Sequence, residues 1–160
     1  CQDNEISWLD WTLNQYKQDF LTFCQRAISL RKSSEILNHL NLKDDNYSLG
    51  HNVEKINWYR PDGERKLEDD WQNHNNQSFA VELCGPQSED VPHHEHWLLV
   101  FNASEHDVRF HLPDLGVNTG WQIMLDTRYA RWADQPEVII KQVHMQAFKS
   151  ICVFKCTVDD

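Results

Sequence analysis

The residues best suited to bind a metal ion lie in one short run, "HHEH" at positions 93–96. Imidazole and carboxylate groups are common ligands of zinc and nickel. Adjacent residues on a loop or strand point in different directions, however, and no second Cys/His pair stands at the spacing of a zinc site. We therefore interpret the run as a solvated loop and predict no metal site and no cofactor. The alternative is a His-rich metal-binding domain that uses His93, His94 and His96.

A second candidate site is the pair Asp3 and Asn4. Planar carboxylate and amide groups form paired hydrogen bonds of the kind that bind sugar hydroxyls. Asp and Asn are also common turn formers and helix caps, so the residues alone leave both roles open. The neighbouring Trp8 and Trp11 allow two interpretations as well, because such rings either stack on sugars or anchor a core.

Other catalytic chemistries have no support in the motifs. The sequence contains no G-x-S-x-G, so a Ser-His-Asp hydrolase of that type is not predicted. A Gly-rich phosphate loop is also missing, and only five glycines occur in 160 residues. These two motifs therefore assign no catalytic residue to this chain.

Composition limits the class of protein. With 40% hydrophobic residues, seven Trp and seven Phe, the chain has the material for a folded core. Its 15 basic and 25 acidic residues give a net charge of -10, which would repel a phosphate backbone and argues against a nucleic-acid partner. No apolar run is long enough for a membrane span. Five cysteines without a C-x-x-C pair predict reduced thiols and a cytoplasmic location.

The N-terminal part is predicted to form one long amphipathic helix over residues 13–31. Its apolar residues recur at alternating steps of three and four, which is helical periodicity: Leu13, Tyr16, Phe20, Phe23, Cys24, Ala27, Ile28 and Leu30. Arg31 and Lys32 follow in the last turn, where cations suit the negative end of the helix dipole. A stripe with two Phe and a Tyr must pack against a large partner, since it would otherwise be an exposed apolar patch.

Beyond residue 33 the pattern changes to short strands. Seven runs rich in β-branched and aromatic residues are separated by turn signals: "VEKINWYR", "SFAVELC", "WLLVFNAS", "DVRFHL", "WQIMLD", "EVIIKQV" and "SICVFKC". They predict an antiparallel β-sandwich in a mainly β fold. The run "WLLVF" is apolar throughout, which suits a central strand buried on both faces. Cys152 and Cys156 are four apart in the last strand and should share one face as small buried residues.

The sequence resembles the C-terminal portion of bacterial-type glycogen debranching enzymes, in the isoamylase branch of the α-amylase superfamily. The opening "CQDNEISWLDW" carries the strongest likeness. It continues in order along the chain in "RAISLRK", "INWYRPDG", "DDW", "LLVFNAS", "FHLP" and "LDT".

The resemblance implies a division of the chain into two parts. Residues 1–33 would be the tail of a truncated (β/α)8 catalytic barrel, comprising a loop and its last helix, and residues 34–160 would be the C-terminal β-sandwich domain. A complete barrel needs about 250 residues, so the chain would be a fragment whose catalytic acids lie upstream. Asp3 and Asn4 would then lie at the barrel face that carries the active site and would bind substrate.

The resemblance also implies a function. The parent enzyme would hydrolyse α-1,6-glucosidic branch linkages in glycogen or limit dextrin with retention, and the fragment alone would be inactive. The barrel would pack on helix 13–31, and without the barrel the fragment is expected to self-associate. The alternative is a free-standing carbohydrate-binding β-sandwich module, which would need an exposed aromatic platform.

Overall fold

The structure, a computed structural model, describes residues 3–38, 55–85, 95–116, 119–128, 139–140 and 142–158. His93 and His94 lie outside the described residues. The helices are α1 (Gln15–Ser33), α2 (Glu35–Asn38) and α3 (Glu68–Gln72). The strands are β1 (Lys55–Tyr59), β2 (Ser78–Cys84), β3 (His96–Asn102), β4 (Val108–His111), β5 (Thr119–Asp126), β6 (Ile139–Ile140), β7 (Val143–Gln146) and β8 (Ser150–Val158).

The predicted β-sandwich preceded by a helix is confirmed. Six strands form one sheet in the order β1-β2-β3-β8-β5-β6, and β4 pairs with β7 in a second, two-stranded sheet. All of these pairings are antiparallel. As expected for "WLLVF", β3 is a central strand between β2 and β8, with Trp97, Leu98 and Val100 buried.

Helix α1 has the predicted amphipathic character, but it begins and ends two residues later than the predicted range 13–31. Asn14 caps its first turn, because the Asn14 side-chain oxygen accepts a hydrogen bond from the Lys17 backbone N–H at 2.9 Å. Arg31 and Lys32 occupy the last turn. No residue of α1 is buried, and Tyr16 and Phe20 are 78% and 58% exposed. The described part of the chain therefore leaves half of the apolar stripe exposed, namely Leu13, Tyr16, Phe20 and Ile28.

The outer face of the six-stranded sheet packs against α2. Ile36 of α2 is 1% exposed and joins a cluster with Val81, Leu83, Trp97 and Val153, against which Leu30 from the end of α1 also packs. Helix α2 is fixed to β3 by hydrogen bonds to the carboxylate of Glu95, the residue just before that strand. These contacts remove part of the second face of the sheet from water, which explains why five of the seven β2 residues are buried.

The inner face of the six-stranded sheet faces the small β4–β7 sheet. Its core combines Phe110 and Leu112 from the β4 side with buried residues of the large sheet: Ala80, Leu98, Val100, Trp121, Cys152 and Phe154. Cys156 packs against the same cluster. The prediction that Cys152 and Cys156 share one face of β8 is thus confirmed.

Two elements differ from the sequence prediction. The run "EVIIKQV" was expected to be one strand, but β6 pairs with β5 of the large sheet while β7 pairs with β4 of the small one. Alternating apolar residues predict extended backbone without specifying its partner strand, so the crossing between sheets was missed. The five-residue helix α3 was also missed, because so short a segment carries too few apolar residues to show helical periodicity.

The pH dependence of stability tests whether His144 on β7 is buried in the inner core. Its ring stands edge-on to Phe154 at 5.0 Å, and its Nε2 lies 3.0 Å from the side-chain oxygen of Gln146. Burial lowers the pKa of His144, against opposing effects of the Gln146 hydrogen bond and the Asp126 charge. As pH falls below about 6.5, the unfolded chain therefore binds this proton before the folded chain does.

We expect the contribution of His144 to the free energy of unfolding to be fully maintained above pH 6.5 and to fall below it, by at most about 1.4 kcal/mol per pH unit. Urea unfolding between pH 7.5 and 5.5 measures the slope. His144→Gln should flatten it, whereas His106→Gln, at an exposed position, should leave it unchanged. An identical slope in wild type and His144→Gln would contradict this assignment.

Within the described ranges, no helix combines the length and apolar character required to cross a membrane.

Candidate functional site

The segment that carries Asp3 and Asn4 forms a tight turn. The backbone carbonyl of Asn4 accepts hydrogen bonds from the N–H groups of Ser7 and Trp8, at 3.0 and 3.2 Å. The side-chain oxygen of Asn4 accepts from the N–H of Ile6 at 3.1 Å. Asp3 Oδ1 accepts from the indole N–H of Trp8 at 2.6 Å. Asp3 and Asn4 therefore form a turn, as one of the two interpretations predicts. The turn brings the carboxylate of Asp3 and the indole ring of Trp8 together.

This turn exposes large apolar side chains. Ile6, Trp8 and Trp11 are 91%, 61% and 81% exposed. Neither Trp is a core anchor among the residues that the structure describes. A carboxylate fixed beside an exposed ring offers the polar and stacking contacts that a sugar requires. Binding of a glucan by Asp3 and Asn4 stays a prediction.

A separate polar group lies in the sheet, at one end of the inner face. We call it the Glu82 cluster, comprising Asn57, Tyr59, Glu82, Cys84 and His96. Strands β1, β2 and β3 position it: Asn57 is directly opposite Glu82, and Cys84 is directly opposite His96. Because residues two apart on a strand share a face, all five side chains lie on the same side of the sheet.

The Glu82 carboxylate accepts hydrogen bonds from three directions. Asn57 Nδ2 and the Tyr59 hydroxyl both donate to Oε2, the latter at 2.8 Å. His96 Nε2 lies 2.8 Å from Oε1 and 3.3 Å from the Sγ of Cys84. The Glu82 and His96 side chains are only 7% and 21% exposed. Glu82 and His96 thus form a largely buried ion pair within a hydrogen-bonded network.

The network changes the protonation of both partners. Burial alone would raise the pKa of Glu82, but hydrogen bonds from His96, Asn57 and Tyr59 lower it. Burial alone would lower the pKa of His96, but hydrogen-bonding contacts with Cys156, Cys84 and Glu82 raise it. Each charge therefore stabilises the other at neutral pH.

The interpretation of "HHEH" as a solvated loop is wrong for its second half. Glu95 Oε2 accepts hydrogen bonds from the Ser34 hydroxyl at 2.8 Å and from the Ile36 N–H at 3.1 Å, which ties α2 to the sheet. His96 is the first residue of β3 and belongs to the Glu82 cluster. The sequence could not show this, because strand pairing brings Glu82 and Cys84 to His96 across 12 to 14 residues.

Comparison with known proteins identifies the family. Residues 55–149, which include strands β1 to β7 and the Glu82 cluster, match the family model described as "Isoamylase, C-terminal". This confirms the resemblance seen in the sequence motifs.

Similar proteins carry names from glycogen metabolism. A "Glycogen operon protein GlgX homolog" of Mycobacterium tuberculosis is 33% identical over 135 residues, covering 79% of this chain and 19% of the relative. An "Isoamylase" of a Flavobacterium species is 25% identical over 137 residues, covering 86% and 17%. A "Glycogen debranching enzyme" of Yersinia pseudotuberculosis is 25% identical over 114 residues, covering 71% and 14%.

The chain spans less than a fifth of the length of these relatives. Because the family model matches more than half of the chain, including most of its strands, the chain belongs to the isoamylase C-terminal domain family.

Proposed function

We propose that this chain is the C-terminal part of a glycogen debranching enzyme that hydrolyses α-1,6-glucosidic branch linkages in glycogen or limit dextrin. The family match over residues 55–149 carries the proposal, together with relatives named isoamylase and glycogen debranching enzyme. Hydrolysis with retention uses two carboxylates about 5 Å apart. We place both in a catalytic barrel upstream, so this chain supplies structure and part of the substrate rim. We also propose a cytoplasmic location, consistent with free thiols at Cys24, Cys84, Cys152 and Cys156.

The division at residue 33 is supported by the packing of α1. The helix ends at Ser33, and the next residue, Ser34, is buried against the sandwich. Upstream of this point, large apolar side chains are exposed in both the loop and the helix. We propose that residues 1–33 belong to the barrel and residues 34–160 to the sandwich, which covers the flank of the barrel.

We propose that the barrel packs on helix 13–31. Burying one large apolar side chain contributes about 1.5–3 kcal/mol, so covering Tyr16 and Phe20 alone is a substantial gain. Without the barrel, a second copy of the chain is the available partner for the same stripe. The isolated 160-residue chain should therefore self-associate, as measured by sedimentation velocity.

Replacing Tyr16 and Phe20 together with Ser should reduce this self-association. The matched control is Met145→Ser with Phe148→Ser, which removes two apolar side chains that are 56% and 50% exposed outside the helix. Equal effects of the two double variants would refute a specific role for the helix stripe.

We propose that Asp3 and Asn4 contact the glucan at the rim of the active site. The support is the Asp3–Trp8 hydrogen bond, which holds a carboxylate beside a ring that is 61% exposed. Loss of one hydrogen bond to a charged group costs about 1.5–3 kcal/mol. In the natural full-length polypeptide, Asp3→Ala should therefore lower kcat/KM on limit dextrin by roughly 10- to 150-fold.

Asn4→Ala tests the second residue and should lower kcat/KM by a smaller factor, because the amide is neutral. Asp10→Ala is the control: Asp10 lies in the same exposed segment but forms an ion pair with Lys17 at 2.8 Å. It should change kcat/KM less than twofold. A result in which Asp3→Ala and Asp10→Ala behave alike would remove Asp3 from the substrate site.

The free-standing carbohydrate-binding module is not favoured by the comparisons. An aromatic group does occur on the outer face, where Trp58 and Trp71 are 39% and 48% exposed and their rings lie 5.2 Å apart. One ring face is in use, however, since Lys66 Nζ sits 4.2 Å above Trp71. We therefore retain the proposal that the chain is the C-terminal part of a glycogen debranching enzyme.

A further inference from the structure

We propose that Glu82, Cys84 and His96 form a binding site for one zinc ion at the end of the inner sheet face. The site is independent of the proposed debranching function and of the Asp3–Asn4 turn. It also differs from a site in the "HHEH" run, since only His96 is shared.

The ligand atoms are already gathered. One carboxylate oxygen, one thiol sulfur and one imidazole nitrogen lie within 4.8 Å of one another. His96 Nε2 is 2.8 Å from Glu82 Oε1 and 3.3 Å from Cys84 Sγ. Tetrahedral zinc with bonds of about 2.0–2.3 Å spaces its ligands roughly 3.3–3.6 Å apart. The two contacts of His96 Nε2 thus need to lengthen by about half an ångström or less to reach this spacing.

The backbone holds these ligands on rigid elements. Cys84 and His96 are directly paired across the antiparallel β2–β3 ladder, and Glu82 lies two residues before Cys84 on the same face. Side chains on paired strands keep their separation better than side chains on loops. The ion would therefore bind to a site formed in advance by the sheet.

Outer contacts orient the ligands as zinc sites require. Asn57 and Tyr59 both donate to Glu82 Oε2, which directs Oε1 towards His96 and Cys84. The His96 ring is held edge-on to Trp121 at 5.0 Å. Such supporting contacts fix ligand orientation and raise metal affinity.

The donor set and its exposure select the ion. A thiolate with an imidazole and a carboxylate suits zinc better than magnesium or calcium, which prefer oxygen ligands. The partial exposure of Cys84 and His96 gives the ion a route from solvent. Three protein ligands leave the fourth tetrahedral position for a water molecule or another donor.

The test uses the natural full-length polypeptide, purified without an affinity tag, stripped with chelator and titrated with Zn²⁺ by calorimetry. We expect Cys84→Ser and His96→Gln each to abolish one equivalent of binding or to weaken it at least tenfold. Glu82→Gln should weaken it as well. Cys24→Ser and His106→Gln, a thiol and an imidazole outside the cluster, should bind zinc as wild type does.

Co²⁺ loading of the unsubstituted protein provides a readout that does not depend on folding of a variant. A thiolate-to-cobalt charge-transfer band should appear in wild type and in Cys24→Ser. Absence of that band in wild type would overturn the proposal. So would loss of binding in a His93→Gln/His94→Gln variant with unchanged binding in Cys84→Ser, because the ion would then belong to the "HHEH" run.

Discussion

Glu82→Ala is expected to destabilise the metal-free chain by about 3–5 kcal/mol, the range for breaking a buried ion pair by removing one partner. The substitution removes the acceptor shared by Asn57, Tyr59 and His96. Each donor left unpaired in a buried position adds its own desolvation cost. Guanidinium unfolding in the presence of chelator, followed by far-UV circular dichroism, measures the loss.

A double-mutant cycle separates the interaction energy of the Glu82–His96 pair from the effects of each substitution on other contacts. The double variant Glu82→Ala/His96→Ala should cost at least about 1 kcal/mol less than the sum of the single variants, since the second change removes a group that the first left unpaired. Glu105→Ala is the control, because its ion pair with Lys149 is exposed and should contribute less than about 1 kcal/mol. Strict additivity, or a cost for Glu82→Ala as small as that of Glu105→Ala, would contradict the account of this network.

Trp121→Ala carries the second large effect, a destabilisation of about 3–5 kcal/mol. Trp121 is completely buried in the inner core, and its indole N–H donates to the Pro113 carbonyl at 2.9 Å. Removing the ring opens a cavity and leaves that carbonyl without its partner. For a chain of this size the melting temperature should fall by roughly 10 °C.

Two comparison variants identify the cause of the destabilisation expected for Trp121→Ala. Trp121→Phe keeps most of the buried ring and loses the hydrogen bond, so it should cost about 1–2 kcal/mol. Trp71→Ala removes a Trp that is 48% exposed and should cost less than Trp121→Ala. Equal melting temperatures for Trp121→Ala and Trp71→Ala would show that the inner core does not depend on Trp121. Differential scanning calorimetry provides the comparison.

Local pattern was enough to predict most of the fold. The run "SFAVELC" coincides with β2 (Ser78–Cys84), because β-branched and aromatic residues between turn signals have a strong preference for extended backbone. Helix α1 was equally visible from its periodicity and its basic last turn. In both cases the information lies within a few neighbouring residues.

Features that depend on non-local pairing were missed. Glu82 stands within an apolar strand and gives no local sign that His96 neutralises it across the sheet. The register of β2 on β3 determines that contact, and a shift of one residue would send Glu82 to the other face. The same reason explains the missed split of β6 and β7. The Asp3–Asn4 turn, by contrast, was one of the two roles that local sequence allowed.

The measurement that tests the central claim most directly is debranching activity on limit dextrin, with the natural full-length polypeptide and the isolated 160-residue chain assayed side by side. We predict that the full-length polypeptide releases reducing ends from α-1,6 linkages with retention of anomeric configuration, and that the isolated chain releases none. A full-length polypeptide that leaves α-1,6 linkages intact, or an isolated chain that cleaves them, would contradict the assignment.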